Sequence, residues 1–140
     1  MSIAGRIFHW LGGGRKPTHL RRGELGERAA RRHLQKLGLK FLAANFRADD
    51  GEIDLVFKDS QCLVFVEVKT RSSEEWVRPA AAVNQEKRRL VARAARAYLK
   101  QIHNPPVKVR FDIVEVLLAE DQVREIRHWP NAFSPAQPQR

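Results

Sequence analysis

At 140 residues the chain has room for one domain and little for a second, and 43% hydrophobic with 30% charged residues is ordinary for a globular protein with its own core. No stretch approaches the roughly 18–20 apolar residues of a membrane span; the single cysteine, Cys62, excludes an internal disulfide, and no Cys/His spacing suits zinc, so a reducing cytoplasm is the expected compartment. The charge balance is the unusual feature: 26 Lys and Arg against 16 acids give a net +10 and a pI near 10.6, which favours polyanionic partners.

Met1 to Gly14 has a short apolar patch (Ile7, Phe8, Trp10, Leu11) followed by three glycines. It lacks the sustained apolar region and cleavage site of a secretion signal, so residues 1–20 are read as a flexible arm. Gly12-Gly13-Gly14-Arg15-Lys16 lacks the spacing of a phosphate loop. From Arg21 to Leu37, Leu25, Ala29, Ala30, Leu34 and Leu37 recur at helical spacing, and Gly38 supplies the left-handed stop. Lys40 to Phe46 reads as a first strand and Asp49-Asp50-Gly51 as a hairpin turn, because Asp and Gly tolerate positive φ. A second strand from Glu52 to Lys58 and a third from Cys62 to Arg71 complete an antiparallel meander.

A polar loop from Ser72 to Arg78 leads to a second helix, starting at Pro79 or capped by Asn84 and ended by Asn104-Pro105-Pro106. Strands from Val107 to Leu118 and Gln122 to Trp129 follow, and residues 134–140 are read as a disordered tail. The order αβββαββ predicts one α/β domain over residues 21–133. It would be a central mixed sheet flanked by helices, with strands three and four parallel through a right-handed crossover.

Three places put charge where apolar residues belong. The third strand, Leu63-Val64-Phe65-Val66-Glu67-Val68-Lys69, sets Val64, Val66 and Val68 on one face and Phe65, Glu67 and Lys69 on the other. The second puts Ile53, Leu55 and Phe57 on one face and Asp54 with Val56 on the other, so Asp54 lies beside Glu67. Two adjacent carboxylates repel, and a divalent ion between them removes the conflict; Mg2+ favours oxygen ligands, one or two carboxylates and a substrate phosphate. On the first helix, Glu27 falls in the stripe of Ala30, Leu34 and Leu37 and is read as pointing inward, with Glu24 as the reserve acid. The plainer readings are a buried structural ion network for Glu67 and Lys69, a turn role for Asp54 and helix-dipole compensation for the glutamates.

The second helix carries Arg89, Arg93, Arg96 and Lys100 on one line, away from Val83, Leu90, Ala94, Ala97 and Tyr98. Like charges at i, i+4 cost roughly 0.2–0.5 kcal/mol per pair, which suggests a phosphate partner, although a solvated face suffices for any single arginine. Lys87, Arg88 and Arg71 lie nearer the acids, and Arg28, Arg31 and Arg32 add a second basic surface.

An acid on the first helix, Gly51-Glu52-Ile53-Asp54 and Glu67-Val68-Lys69 resemble the PD-(D/E)xK nuclease superfamily, with Ile53 in place of the proline. The fuller set is closer to the YraN family of small bacterial proteins, distantly similar to archaeal Holliday junction resolvases. It comprises Gly23-Glu24-Leu25-Gly26-Glu27, Asn45-Phe46-Arg47, Phe65 to Arg71, Ala82-Val83 with Lys87, and Asn131-Ala132-Phe133. This resemblance implies a restriction-endonuclease-like core that uses Mg2+ or Mn2+ to hydrolyse phosphodiester bonds, in DNA rather than RNA, with branched or structured DNA as a candidate substrate. It implies Asp54, Glu67, the Val68 carbonyl and Glu27 as metal ligands, Lys69 as the catalytic lysine beside those acids, and a homodimer. Arg71, Lys87, Arg88, Arg89, Arg93 and Arg96 are the expected nucleic-acid contacts. The rival expectations are a non-catalytic nucleic-acid-binding module and an interaction protein docking through Trp10, Trp76 and the arm.

Overall fold

A computed structural model describes residues 18–72 and 84–134. The element order is α1 (Thr18–Lys36), β1 (Lys40–Ala48), β2 (Gly51–Asp59), β3 (Cys62–Arg71), α2 (Gln85–Gln101), β4 (Lys108–Ala119) and β5 (Gln122–Phe133). The five strands form one sheet in sequential order. β3 and β4 pair in parallel and every other pair is antiparallel, as the helix between those two strands predicts.

Local chemistry explains the boundaries. α1 closes with Gly38 at φ 94, while the N–H of Leu39 donates to Leu34 O and that of Gly38 to Gln35 O, so orphan carbonyls of the last turn are satisfied. α2 starts at the Asn84 cap, whose side chain accepts from the Lys87 N–H at 2.8 Å; the other expected start, Pro79, lies outside the described residues. The same closing pattern recurs at its end, with His103 at φ 67 and Asn104 N–H bonded to Leu99 O ahead of the two prolines. The hairpin turns use Asp49, Ser60, and Glu120 with Asp121 at positive φ.

Both faces of the sheet are covered. On one, α2 packs Val91, Ala94 and Ala95 against Ile53, Val56, Phe65, Phe111 and Ile113. On the other, α1 packs Ala30 and Leu34 against Leu55, Phe57, Val64, Val66 and Val114. A strand buried on both sides reads as a near-continuous apolar run, and β3 does.

Three expectations are corrected. Ile53 does not share a face with Leu55 and Phe57: it lies with Val56 under α2, so the alternation of β2 breaks at Asp54. Leu37 is 56% exposed, because the helix is already turning into its cap there. The buried stripe of α2 is Val91, Ala92, Ala94 and Ala95, with Leu90, Ala97 and Tyr98 only half-buried. Gly51 belongs to β2 itself. A Cβ there would lie 2.2 Å from the Leu90 carbonyl oxygen, so its bare backbone is what lets α2 rest on the sheet. Gly26 does the same for α1, since a Cβ there would meet Thr70 Oγ1 at 1.9 Å.

Candidate active site

The pairing of β2 with β3 runs from Asp59↔Cys62 to Leu55↔Val66 and goes no further. One residue on, Asp54 takes over the ladder's role with its side chain: the Val68 N–H donates to Asp54 Oδ2 at 2.7 Å. On the far side, Asn45 of β1 stands in the left-handed region at φ 53, and no partner is paired with it between Ala44↔Leu55 and Phe46↔Ile53. The sheet thus opens between β2 and β3 at Asp54, while β1 and β2 stay in register on either side of it. That opening joins the α1 face, which carries Glu27, to the α2 face, which carries Lys87.

Glu67 is only 5% exposed, yet it is charged company for four neighbours. Lys69 Nζ lies 3.5 Å and Lys87 Nζ 3.4 Å from the same oxygen, Oε1. Its other oxygen, Oε2, is buried without a hydrogen-bond partner among the described residues. Burial, the Glu67 charge and then Glu27 push the Asp54 carboxyl up to about 7, against the Val68 N–H and the Lys87 ammonium, which pull it down. Glu27 is likewise raised, first by burial and then by Glu52, Glu24 and Glu67, while a hydrogen bond from the Asn45 side chain opposes the shift.

Four of the expected site residues (Glu27, Asp54, Glu67 and Lys69) therefore converge, and Lys87 joins them from α2. Glu24 is exposed and shares a cleft of about 400 Å3 with Glu27, Arg28, Arg31, Ala44 and Asn45. Among the described residues no group of three or more His, Cys, Asp or Glu side chains is gathered tightly enough to hold a metal by itself. What is present is a pair, Asp54 and Glu67, with an unpartnered buried oxygen and a carboxyl that ionises reluctantly. That donor set fits a hard cation completed by waters and phosphate oxygens.

The remaining expected contacts spread outward. Arg71 lies 3.6 Å from Glu115, the guanidinium of Arg88 stands 5.7 Å above the Phe133 ring, and Arg89 is exposed on α2. Arg93 is 3.4 Å from Asp50, so the basic line of α2 is partly neutralised from within the chain. Arg96 borders a separate cavity of about 270 Å3 between α2 and the ends of β4 and β5.

Two fully buried acids on β4 escaped the sequence reading. Asp112 accepts from Arg110 Nε at 3.1 Å and from the Asn131 N–H at 2.8 Å, and lies 2.8 Å from His128 Nε2. Glu115 accepts from Trp129 Nε1 at 3.2 Å, and burial raises its carboxyl against Trp129, Arg71 and Arg127. The signal was available: Phe111-Asp112-Ile113-Val114-Glu115-Val116 sets acids in an apolar strand just as Glu67 is set. Asn45 escaped too, marked only by its place in the Asn45-Phe46-Arg47 segment of the family pattern.

These features define a single-domain α/β protein with an acid and lysine cluster where its mixed sheet opens. The family described as Uncharacterised protein family UPF0102 matches residues 26–116, which include all of β1, β2 and β3 and the four clustered residues. UPF0102 proteins are 42% identical over 115 residues in Trichlorobacter lovleyi (81% of this chain, 91% of that protein) and 43% identical over 111 residues in Symbiobacterium thermophilum (79% and 94%). A third, from Chlorobaculum tepidum, is 39% identical over 107 residues (76% and 83%). The chain belongs to the UPF0102, or YraN, family. No helix among the described residues is long and apolar enough to cross a membrane.

Proposed function

We propose that the protein is a metal-dependent nuclease that hydrolyses phosphodiester bonds in DNA at the opening between β2 and β3. The observation that carries the reading is Glu67: a nearly buried carboxylate with two lysines on one oxygen and no hydrogen-bond partner among the described residues on the other, beside the half-buried Asp54. A purely structural acid would be expected to spread its partners over both oxygens.

Asp54 and Glu67 would hold Mg2+ or Mn2+, with Glu27 nearby on α1. The cation would supply Lewis-acid polarisation of a phosphoryl oxygen and activation of water. The chain's own residues supply the rest. The Val68 N–H fixes the Asp54 carboxylate in place, so its direction does not depend on side-chain freedom. Lys69, two residues beyond Glu67 on the same strand, would orient the attacking water or meet charge as it develops on the phosphate. Lys87 reaches the same carboxylate from α2 and would offer a second ammonium to a phosphate oxygen. The net charge of +10 favours approach of the polyanion.

The test is cleavage of labelled linear, flapped and four-way-junction DNA with Mg2+ or Mn2+, for wild type, Lys69→Ala and Asp54→Asn. Cutting by wild type that both variants abolish is the expected result. Equal cutting by Asp54→Asn would refute the assignment. One observation favours a second reading, a non-catalytic nucleic-acid-binding module: both lysines already pair with Glu67, as in a closed ion network. That reading expects metal-independent binding with a salt slope of roughly −0.9 per phosphate contacted, and no cutting.

A further inference from the structure

The cleft beside Glu27 has chemistry of its own. It lies between α1 and β1, on the face of the sheet opposite α2, and measures about 400 Å3. That is near the small end of the roughly 300–1,000 Å3 typical of small-molecule sites, a size on the scale of one nucleotide. Two exposed guanidiniums, Arg28 and Arg31, stand on its α1 wall. Arg31 is held in place by the Phe41 ring, 3.6 Å below its guanidinium carbon, so its planar fork is organised before any ligand arrives.

The opposite wall is Asn45, kept at φ 53 where β1 departs from regular pairing, with an amide that can donate and accept. The two carboxylates bordering the cleft are both engaged: Glu27 by the Asn45 side chain, Glu24 in an interaction of its own. A guanidinium stacked on Phe41, a second exposed beside it, a polar amide and a hollow of this size are what a phosphate with its attached base requires.

We propose that this cleft is a subsite for a single unpaired nucleotide of a nucleic-acid strand, its phosphate at Arg28 and Arg31 and its base edge at Asn45. The proposal rests on the nucleic-acid reading of the neighbouring carboxylates and adds the route of the strand. A strand crossing the opening at Asp54 meets Lys87 on the α2 face and enters the cleft on the α1 face. A base whose edge meets Asn45 cannot pair through that edge, so the strand is unpaired at that position. The bend of β1 at Asn45 thereby becomes a binding feature, in addition to the hydrogen bond it gives Glu27.

The test reads binding in EDTA, so that it is independent of cutting. A short single-stranded oligodeoxynucleotide and a deoxynucleoside monophosphate are titrated into the full chain and into Arg28→Gln and Arg31→Gln, across a range of salt. Each variant is expected to weaken oligonucleotide binding about three- to tenfold and to make the salt slope shallower by about 0.7. Backbone amide resonances of Ala44 and Asn45 are expected to move during the titration. Among the described residues Arg28 stacks on no ring, so Arg28→Gln reads the subsite even where Arg31→Gln loosens packing on Phe41. Unchanged affinity in Arg28→Gln, with resonance shifts confined to α2, would overturn the proposal. A monophosphate that binds as tightly as the oligonucleotide would overturn it as well, by making the cleft a site for free nucleotides. Failure of the cleavage test would remove the nuclease reading and leave this measurement untouched.

Discussion

Asp54→Asn, unfolded with urea near pH 5 and near pH 8 in EDTA, isolates the electrostatic cost of the carboxyl that the β2–β3 opening buries. Asp54 is pushed up to about 7 from an ordinary 3.8. The folded protein therefore keeps a proton that the unfolded chain loses, and stability falls as pH rises from about 4 to about 7, then levels off. Between pH 5 and pH 8 this amounts to about two units, or about 3 kcal/mol for a lone group. Coupling to Glu67 spreads the titration over the pair, so a change of about 1.5–3 kcal/mol is expected. Asparagine keeps an oxygen for the Val68 N–H and has no charge to desolvate, so its stability should lack this component. The gain of the variant over wild type should thus be small near pH 5 and larger near pH 8 by that amount. A difference that stays constant across the two pH values would refute the idea that Asp54 holds a proton in the fold.

Two further substitutions test the frame. Gly51→Ala places a methyl 2.2 Å from the Leu90 carbonyl oxygen and 3.1 Å from Ala94 Cβ, and backbone must move to admit it. A loss of about 1–3 kcal/mol is expected, seen as a melting temperature lower by several degrees in calorimetry; an unchanged melt would mean that α2 does not rest on β2 here. Asp112→Ala leaves Arg110, His128 and the Asn131 N–H without their shared acceptor. It should cost about 3–5 kcal/mol by urea unfolding, and a cost below about 1 kcal/mol would show the network to be dispensable.

Much of the architecture could be read because its signals are local. Alternation in Leu63 to Lys69, the Gly38 stop and the Asn104-Pro105-Pro106 break are each set by a few neighbouring residues, and the elements appear where those signals put them. The convergence of Asp54 with Glu67 followed from the meander, since adjacent antiparallel strands bring them side by side. What stayed hidden depends on several strands at once. The opening at Asp54 requires β2 to part from β3 while it stays paired with β1 past the left-handed Asn45, and no run of apolar residues encodes that, so Ile53 was assigned to the wrong face. Gly51 looked like a turn glycine because its close neighbour, Leu90, is remote in sequence. Asp112 and Glu115 were missed for a different reason: Arg110 is local to Asp112, but the β5 partners His128 and Trp129 become neighbours only through the pairing of β4 with β5.

Gly26 and Gly51 have a consequence beyond packing. β2 and β3 are antiparallel, so Gly51 at the start of one and Thr70 near the end of the other lie at the same end of the sheet. There each helix is held at its minimum distance by bare backbone, whereas farther along the spacing is set by side chains such as Ala95 on one face and Leu34 on the other. Side chains drift over generations and helices shift with them, but on the glycine's side of each contact there is no side chain to drift. The width of the gap around Asp54 and Glu67 is thus insulated from turnover in the core, and descendants of this chain could exchange most of their interior while inheriting the same spacing between the acids and the lysines.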